Sequence, residues 1–185
     1  MMLSDAELSL RPRGPRDVFV LDWSGDAEAE RFGEELEGSS WSQLWDRRRR
    51  QAFWVCIGDE VVGEADLFDI RRGDRTAELR IGLAPTAYLG KGYGRRALQL
   101  LLDYASGHLQ LGSVYLRVRE ANTRAVRCYL AVGFRRHGRL RGERFPEPVL
   151  LMHRELMRER IAQGPAGELI VDSALRETAT GEFSL

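Results

Sequence analysis

The chain has 185 residues, 43% of them hydrophobic, and its 28 basic residues balance 28 acidic ones. That length suits one domain with a modest extension and a real apolar core. Zero net charge excludes a global field that gathers nucleic acid, so a charged partner has to be met by a local patch.

In chain order, Leu8–Pro12 is short and alternating and is predicted as the first strand. From Pro15 to Trp23 and from Asp26 to Arg50 the pattern turns helical, with Asp26 placed to cap the second segment. Trp41, Leu44 and Trp45 stand at helical spacing, and Trp23, Trp41 and Trp45 can serve either a pocket or the core. The arginine run 47–50 has the composition of a nucleic-acid patch, but cations also suit a helix C-terminus, and the balanced charge favours that second reading.

The period then changes to two. Residues 52–68 hold two apolar runs split by Gly58, Asp59 and Glu60, a hairpin signature. Arg71–Arg75 is the next turn, and Thr76–Pro85 is a third strand of the meander, stopped by Pro85. Alternation on it puts Glu78, Arg80 and Gly82 on one face, where Arg80 is expected to hold Glu78 ionised. Leu79, Ile81 and Leu83 share the other face and are expected to pack on helices.

Next comes "YLGKGYGRRAL", residues 88–98, which holds the only lysine of the chain. The helix after it is expected to run to about Gly107, burying Ala97, Leu98, Leu101, Tyr104 and Ala105, with Leu100 and Leu102 widening the stripe. Ser113–Arg119 alternates, with Val114, Leu116 and Val118 on one face. Asn122 can cap a further helix that Gly133 ends. Strands follow near 134–142 and 147–155, with Phe145–Pro148 as the turn between them. The polar tail from about Arg158 sets an expected domain at 1–157 and a C-terminal extension at 158–185. The order of elements is α+β, helices flanking a mostly antiparallel sheet. The N-terminus has no apolar signal core and no stretch has membrane-spanning length, so the expectation is a cytoplasmic protein without a membrane partner. Cys56 and Cys128 show no pairing pattern and fit a reducing compartment, and His108, His137 and His153 are scattered, so no metal site is expected.

Gly90, Gly92 and Gly94 fall at every second position before a helix. Exposed backbone N–H groups and the positive helix end suit an anion such as a pyrophosphate, and Lys91, Arg95 and Arg96 add charge. Neither familiar phosphate loop fits. The dinucleotide fingerprint needs G-x-G-x-x-G, and the triphosphate loop needs Ser or Thr after its lysine, where Gly92 stands.

"LGKGYG" after "RIGLAP", followed further on by "NTRAVRCYLAVGF", resembles the GNAT superfamily of acetyl-CoA-dependent N-acetyltransferases, over roughly residues 8–156. It looks most like the ribosomal-protein and polyamine-type group, and "RAVRCYLAVGF" is also similar to aminoglycoside acetyltransferases. The resemblance implies a GNAT-like mixed, mostly antiparallel sheet flanked by helices on both faces. It implies acetyl-CoA as cosubstrate and a primary amine as acceptor, either a protein N-terminus or a small molecule, with a homodimer left open and no nucleic acid involved. Ile81, Gly82 and Leu83 would line the pantetheine arm. Leu89, Gly90, Lys91, Gly92, Tyr93, Gly94 and Arg95 would form the pyrophosphate loop, Leu89 standing where the family usually has Arg or Gln. Asn122 would touch coenzyme A or simply cap its helix. Tyr129 would be the general acid, or else a core aromatic in a stripe with Val126 and Leu130. Cys128 is expected on another helix face, so no acetyl-cysteine is anticipated. An alkyl ammonium must lose a proton before it attacks, and Glu78 is the foremost base, with Glu64 and Asp66 behind it. The rival functions are an acyl-CoA sensor without catalysis, an aminoglycoside-type enzyme, and an RNA-associated adaptor using the arginine run.

Overall fold

A computed structural model describes residues 3–14, 49–84, 86–142 and 145–156. The expected helix at 15–23, residues 26–48 of the helix expected over 26–50, Trp23, Trp41 and Trp45, the strand stop at Pro85 and the extension 158–185 lie outside the described residues, while Arg49 and Arg50 are described and are not α-helical. Alternating segments form the strands β1 (Leu3–Asp5), β2 (Leu8–Pro12), β3 (Gln51–Ile57), β4 (Glu60–Arg71), β5 (Thr76–Leu83), β6 (Ser113–Arg119), β7 (Arg135–Gly142) and β8 (Phe145–Glu155). The 3.6-period segments form α1 (Tyr93–Gly107) and α2 (Thr123–Ala131). The strands make one eight-stranded sheet in the order β1-β2-β3-β4-β5-β6-β8-β7, antiparallel except for the β5–β6 pair.

Two local expectations change. The first strand is preceded by β1, which pairs Leu3 with Leu10. Phe145–Pro148 does not form the turn but begins β8, where Gly142 faces Phe145 and a register shift separates that pair from Leu140 and Val149. The irregularity absorbs two prolines, which cannot donate to a ladder.

Leu79 and Ala77 on β5, Leu67 and Ala65 on β4, and Val114, Leu116 and Val118 on β6 belong to one buried cluster with α1 and with Val126 and Tyr129 of α2. Both described helices therefore cover the same sheet face, while the helical segments expected over the other face fall in 15–48. The start of α1 is pinned to the first hairpin. The Arg96 Nε donates to Asp5 Oδ2 at 2.9 Å, and the Tyr93 hydroxyl donates to Glu7 at 2.9 Å. In the last turn of α1, Tyr104 packs edge-on against Phe53, ring centroids 5.1 Å apart.

The feature that organises the molecule is the β5–β6 contact. These parallel strands pair at only three positions, Thr76 with Ser113, Ala77 with Val114 and Glu78 with Tyr115. Beyond Glu78, β5 stays on β4 as far as Leu83, and beyond Tyr115, β6 stays on β8 as far as Arg119. The sheet thus opens into a fork. The Ala84 N–H donates to Val62 O at 2.9 Å, so Ala84 turns toward β4. Alternation in an antiparallel ladder then points the backbone groups of Gly82 and Arg80 at β4, and those of Leu83, Ile81 and Leu79 into the fork.

Gly63 makes this closeness possible. It faces Leu83 across the ladder, and a Cβ on it would stand 2.2 Å from the Gly82 carbonyl oxygen and 2.9 Å from Leu83 Cδ2. A backbone oxygen cannot rotate away as a side chain can. Gly63→Ala should therefore push β4 off the end of β5 and lower stability by about 1–3 kcal/mol, the usual cost of overpacking, as read by urea unfolding. An unchanged midpoint would show that the strand is free to move.

Candidate active site in the strand fork

The mouth of the fork is closed by the glycine loop. A 3₁₀ turn, Thr86–Tyr88, leads into Gly90 at φ 73° and Gly92 at φ 87°, left-handed values that glycine adopts without strain. Gly92 is the N-cap of α1 and brings no side-chain cap. The first N–H groups of the helix consequently face outward with the positive end of the dipole behind them. Lys91 and Arg95 are exposed beside them. Arg96 is not part of this charge, because its guanidinium is turned to Asp5 and Glu7. Leu89 is half-buried and, being apolar, brings the loop no polar side chain. Tyr88 and Tyr93 brace the loop, donating to Glu60 at 2.6 Å and to Glu7 at 2.9 Å.

α2 packs against α1 and the core cluster on the helix face of the sheet. Asn122 is buried, and its side-chain oxygen accepts the Ala125 N–H at 3.0 Å, so it does cap the helix. Tyr129 is 8% exposed and packs edge-on to Phe134, with centroids 5.9 Å apart. Burial drives its hydroxyl pKa well above the usual phenol value, so it keeps its proton at neutral pH. That hydroxyl has no hydrogen bond among the described residues. A core position and a free proton donor are therefore combined in one residue. Cys128 of α2 stands near the start of α1 and the end of β5. A Cβ on Gly94 would meet its Sγ at 3.8 Å and Leu83 Cδ1 at 3.9 Å. Burial raises the Cys128 thiol, which keeps it protonated and a poor nucleophile.

The face opposite α1 carries the charged groups. Glu78 is 8% exposed and is held by Arg117, whose Nε and Nη2 donate to its two oxygens at 2.6 and 3.1 Å. The expected Arg80–Glu78 pair does not form. Arg80 Nη2 donates instead to Asp66 Oδ2 at 2.6 Å, an oxygen that also accepts Arg50 Nη2 at 2.8 Å. The reason is geometric: same-strand neighbours on one face sit nearly 7 Å apart, whereas cross-strand partners stand about 5 Å apart, and Asp66 is directly opposite Arg80. Glu64 stands opposite Gly82 and accepts Arg13 Nη1 at 3.2 Å, while the Arg13 guanidinium lies 4.4 Å over the Trp54 ring. At the base of the fork, Asp69 adopts φ 47° and accepts from Tyr115 at 3.3 Å, from Arg71 at 3.0 Å and from Arg49.

Of the residues expected at the site, Ile81 and Leu83 turn their backbone into the fork, the glycine loop follows the end of β5, Asn122 caps α2, and Tyr129 lies in the core cluster shared with α1 and the sheet. Gly82 differs in that its backbone is committed to β4. Arg117 is a residue that reasoning missed. The alternation of Ser113–Arg119 puts Arg117 opposite the apolar face, but only the parallel pairing, which that segment does not encode, sets it beside Glu78. Among the described residues, no three His, Cys, Asp or Glu side chains are grouped to hold a metal, and no helix is long and apolar enough to cross a membrane.

A Cβ at Gly94 would stand at ordinary van der Waals contact with Cys128 Sγ and Leu83 Cδ1, so alanine there separates folding from ligand binding. Gly94→Ala should keep the melting temperature within a few degrees yet weaken coenzyme A binding at least about tenfold, or 1.4 kcal/mol, by calorimetry. Gly92→Val adds left-handed strain of about 1–2 kcal/mol and should cost stability as well. Unchanged affinity in both variants would remove the loop from the site.

Comparison with known proteins agrees with this geometry. A family model described as an acetyltransferase (GNAT) domain matches residues 7–135. Over 152 residues the chain is 31% identical to the spermidine N(1)-acetyltransferase of Escherichia coli (strain K12), covering 78% of this chain and 81% of that protein. A shorter stretch of 58 residues is 52% identical to the N-alpha-acetyltransferase RimI of Mycobacterium tuberculosis, covering 31% of this chain and 34% of that one. Among solved structures, a chimera of the Vibrio cholerae spermidine N-acetyltransferase superposes with a TM-score of 0.64 at 27% identity, covering 81% of this chain and 96% of that one. With the matched model spanning the fork, the loop and α2, the chain belongs to the GNAT family of acetyltransferases.

Proposed function

We propose that the fork binds acetyl-CoA and that the enzyme passes the acetyl group directly to a primary amine, with Tyr129 as general acid and Glu78 as the proton acceptor. The observations that support this are, among the described residues, backbone groups of β5 turned away from β4, a helix end without a side-chain cap just past that strand, and a buried Tyr129 hydroxyl without a hydrogen bond.

The roles follow from chemistry. Backbone groups of Ile81 and Leu83 would pair with the pantetheine arm, the loop from Gly90 to Arg95 would hold the pyrophosphate, and the free amide edge of Asn122 would meet the cosubstrate beside them. The thioester supplies an activated acyl carbon. The amine nitrogen attacks that carbon, and N–H groups in the fork meet the developing oxyanion. As the C–S bond breaks, the Tyr129 hydroxyl gives its proton to the thiolate and is recharged from solvent. The ammonium proton leaves through water to Glu78. Arg117 occupies one acceptor site on each Glu78 oxygen, and a carboxylate has about four such sites, so room remains for that water. The names of the relatives supply two acceptor classes, a polyamine and a protein N-terminal amine. The rival reading, a sensor without catalysis, gives no use for a protonated hydroxyl left unpaired at the cleft.

Thiol release from acetyl-CoA with a panel of amines tests the reading directly, and absence of release with every amine would favour the sensor. Tyr129→Phe should leave acetyl-CoA affinity intact and cut turnover by about 10²–10⁴-fold, the usual weight of a general acid. Normal turnover in that variant would return Tyr129 to a packing role only.

Glu78→Gln should lower turnover strongly near pH 7, and the deficit should shrink toward about pH 9.5, where more of an amine of pKa near 10 is already unprotonated. The same fractional loss at both values would assign Glu78 to positioning instead.

A further inference from the structure

We propose that the acceptor amine carries a carboxylate, and that Arg80 and Arg117 are the pair that recognises it. This rests on the acetyltransfer reading above and narrows its substrate.

Glu78 faces Tyr115 as the last pair before the fork opens. Two positions further along each arm, on that same face, stand Arg80 on β5 and Arg117 on β6. A guanidinium therefore flanks each side of the opening through which an acceptor approaches. Each is half-anchored. Arg80 spends Nη2 on Asp66, with Glu64 beyond it at 3.9 Å, and Arg117 spends Nε and Nη2 on Glu78. The Nη1 of each has no hydrogen bond among the described residues, and the Arg117 side chain is 43% exposed.

The carboxylates nearby are spoken for. Glu64 is paired with Arg13, Asp66 with Arg50 and Arg80, Asp69 with Arg49 and Arg71, and Glu78 with Arg117. Asp66 is 1% exposed, and its second oxygen, though it accepts nothing, is sealed from solvent, so no ammonium can reach it. Among the described residues, four carboxylates thus face six guanidinia around the fork. A polyamine brings several positive charges and needs carboxylates free to receive them. Here it meets an excess of its own sign, which discriminates against it. A carboxylate, in contrast, matches the fork geometry of guanidinium, and two anchored arginines would hold it without first having to be ordered. With the carboxylate fixed there, an amine a few bonds away points into the cleft. A free amino acid and a peptide with an acidic residue near its N-terminus both present that chemistry.

The test uses matched pairs that differ in one carboxylate: lysine against cadaverine, ornithine against putrescine, and a peptide with glutamate second against the same peptide with glutamine. Spermidine completes the panel, and thiol release is the readout. Calorimetry with acetyl-CoA comes first. The expected result is kcat/KM at least about tenfold higher for the carboxylate member of a pair, in line with a charge-assisted hydrogen bond, and the pair that shows it tells amino acid from peptide. Arg80→Gln should erase that preference by raising KM for the carboxylate member alone, and Arg80→Lys should restore part of it. The proposal is overturned if spermidine or the decarboxylated amines serve as well or better, or if Arg80→Gln slows both members of a pair equally. It is also overturned if acetyl-CoA binds and no carboxylate-bearing amine reacts. Absence of acetyl-CoA binding would be the failure of the acetyltransfer reading itself, and would take this inference with it.

Discussion

Three residue pairs of parallel ladder between β5 and β6 set everything else in this protein. A longer ladder would satisfy the backbone of Leu79, Ile81 and Leu83 within the sheet and leave nothing for a ligand. A shorter one would separate the two halves of the core, whose apolar face runs continuously from β2 across Ala77 and Val114 to β8. Each arm is held by its outer neighbour, β5 by β4 and β6 by β8, so the fork stays open without strain in either strand. Gly63 lets β4 reach the tip of β5, and α1 begins just past that tip. The glycine loop and the open backbone edge of β5 are thus placed end to end by chain connectivity.

The two faces of the fork divide the labour. On the helix face the groups are apolar or protonated: Tyr129 and Cys128 both have pKa values raised by burial, which suits a wall that has to give a proton and hold no charge. On the opposite face the described side chains near the opening are mostly ionic, and among them the arginines outnumber the acids. Under the proposed reaction, a neutral thioester would lie on the apolar side and a charged acceptor would arrive on the ionic one.

Much of the fold was legible because its signals are local. Period-two segments became β3 to β6 with small boundary errors, Asn122 and Gly133 bounded α2 as capping chemistry requires, and the left-handed Gly90 and Gly92 sit where a loop needed them. The failures were of register and of distance. Alternation assigns Glu78 and Arg80 to one face but says nothing of which strand lies beside it, so Arg117 went unseen and Asp66 was not matched to Arg80. Two prolines suggested a turn at 145–148 that the chain absorbs within β8. Arg96 looked like a phosphate ligand by proximity, and only the β1–β2 hairpin, remote in sequence, shows where its charge is used.

The central claim is that backbone groups on alternate residues of β5 wait in the fork for the arm of the cosubstrate. Amide hydrogen exchange read residue by residue, with and without acetyl-CoA, tests it most directly. Protection should rise at Ile81 and Leu83, whose N–H groups face the opening, and stay level at Arg80 and Gly82, which already bond to β4. Equal change at all four, or no change at Ile81 and Leu83 while acetyl-CoA is bound, would contradict the account.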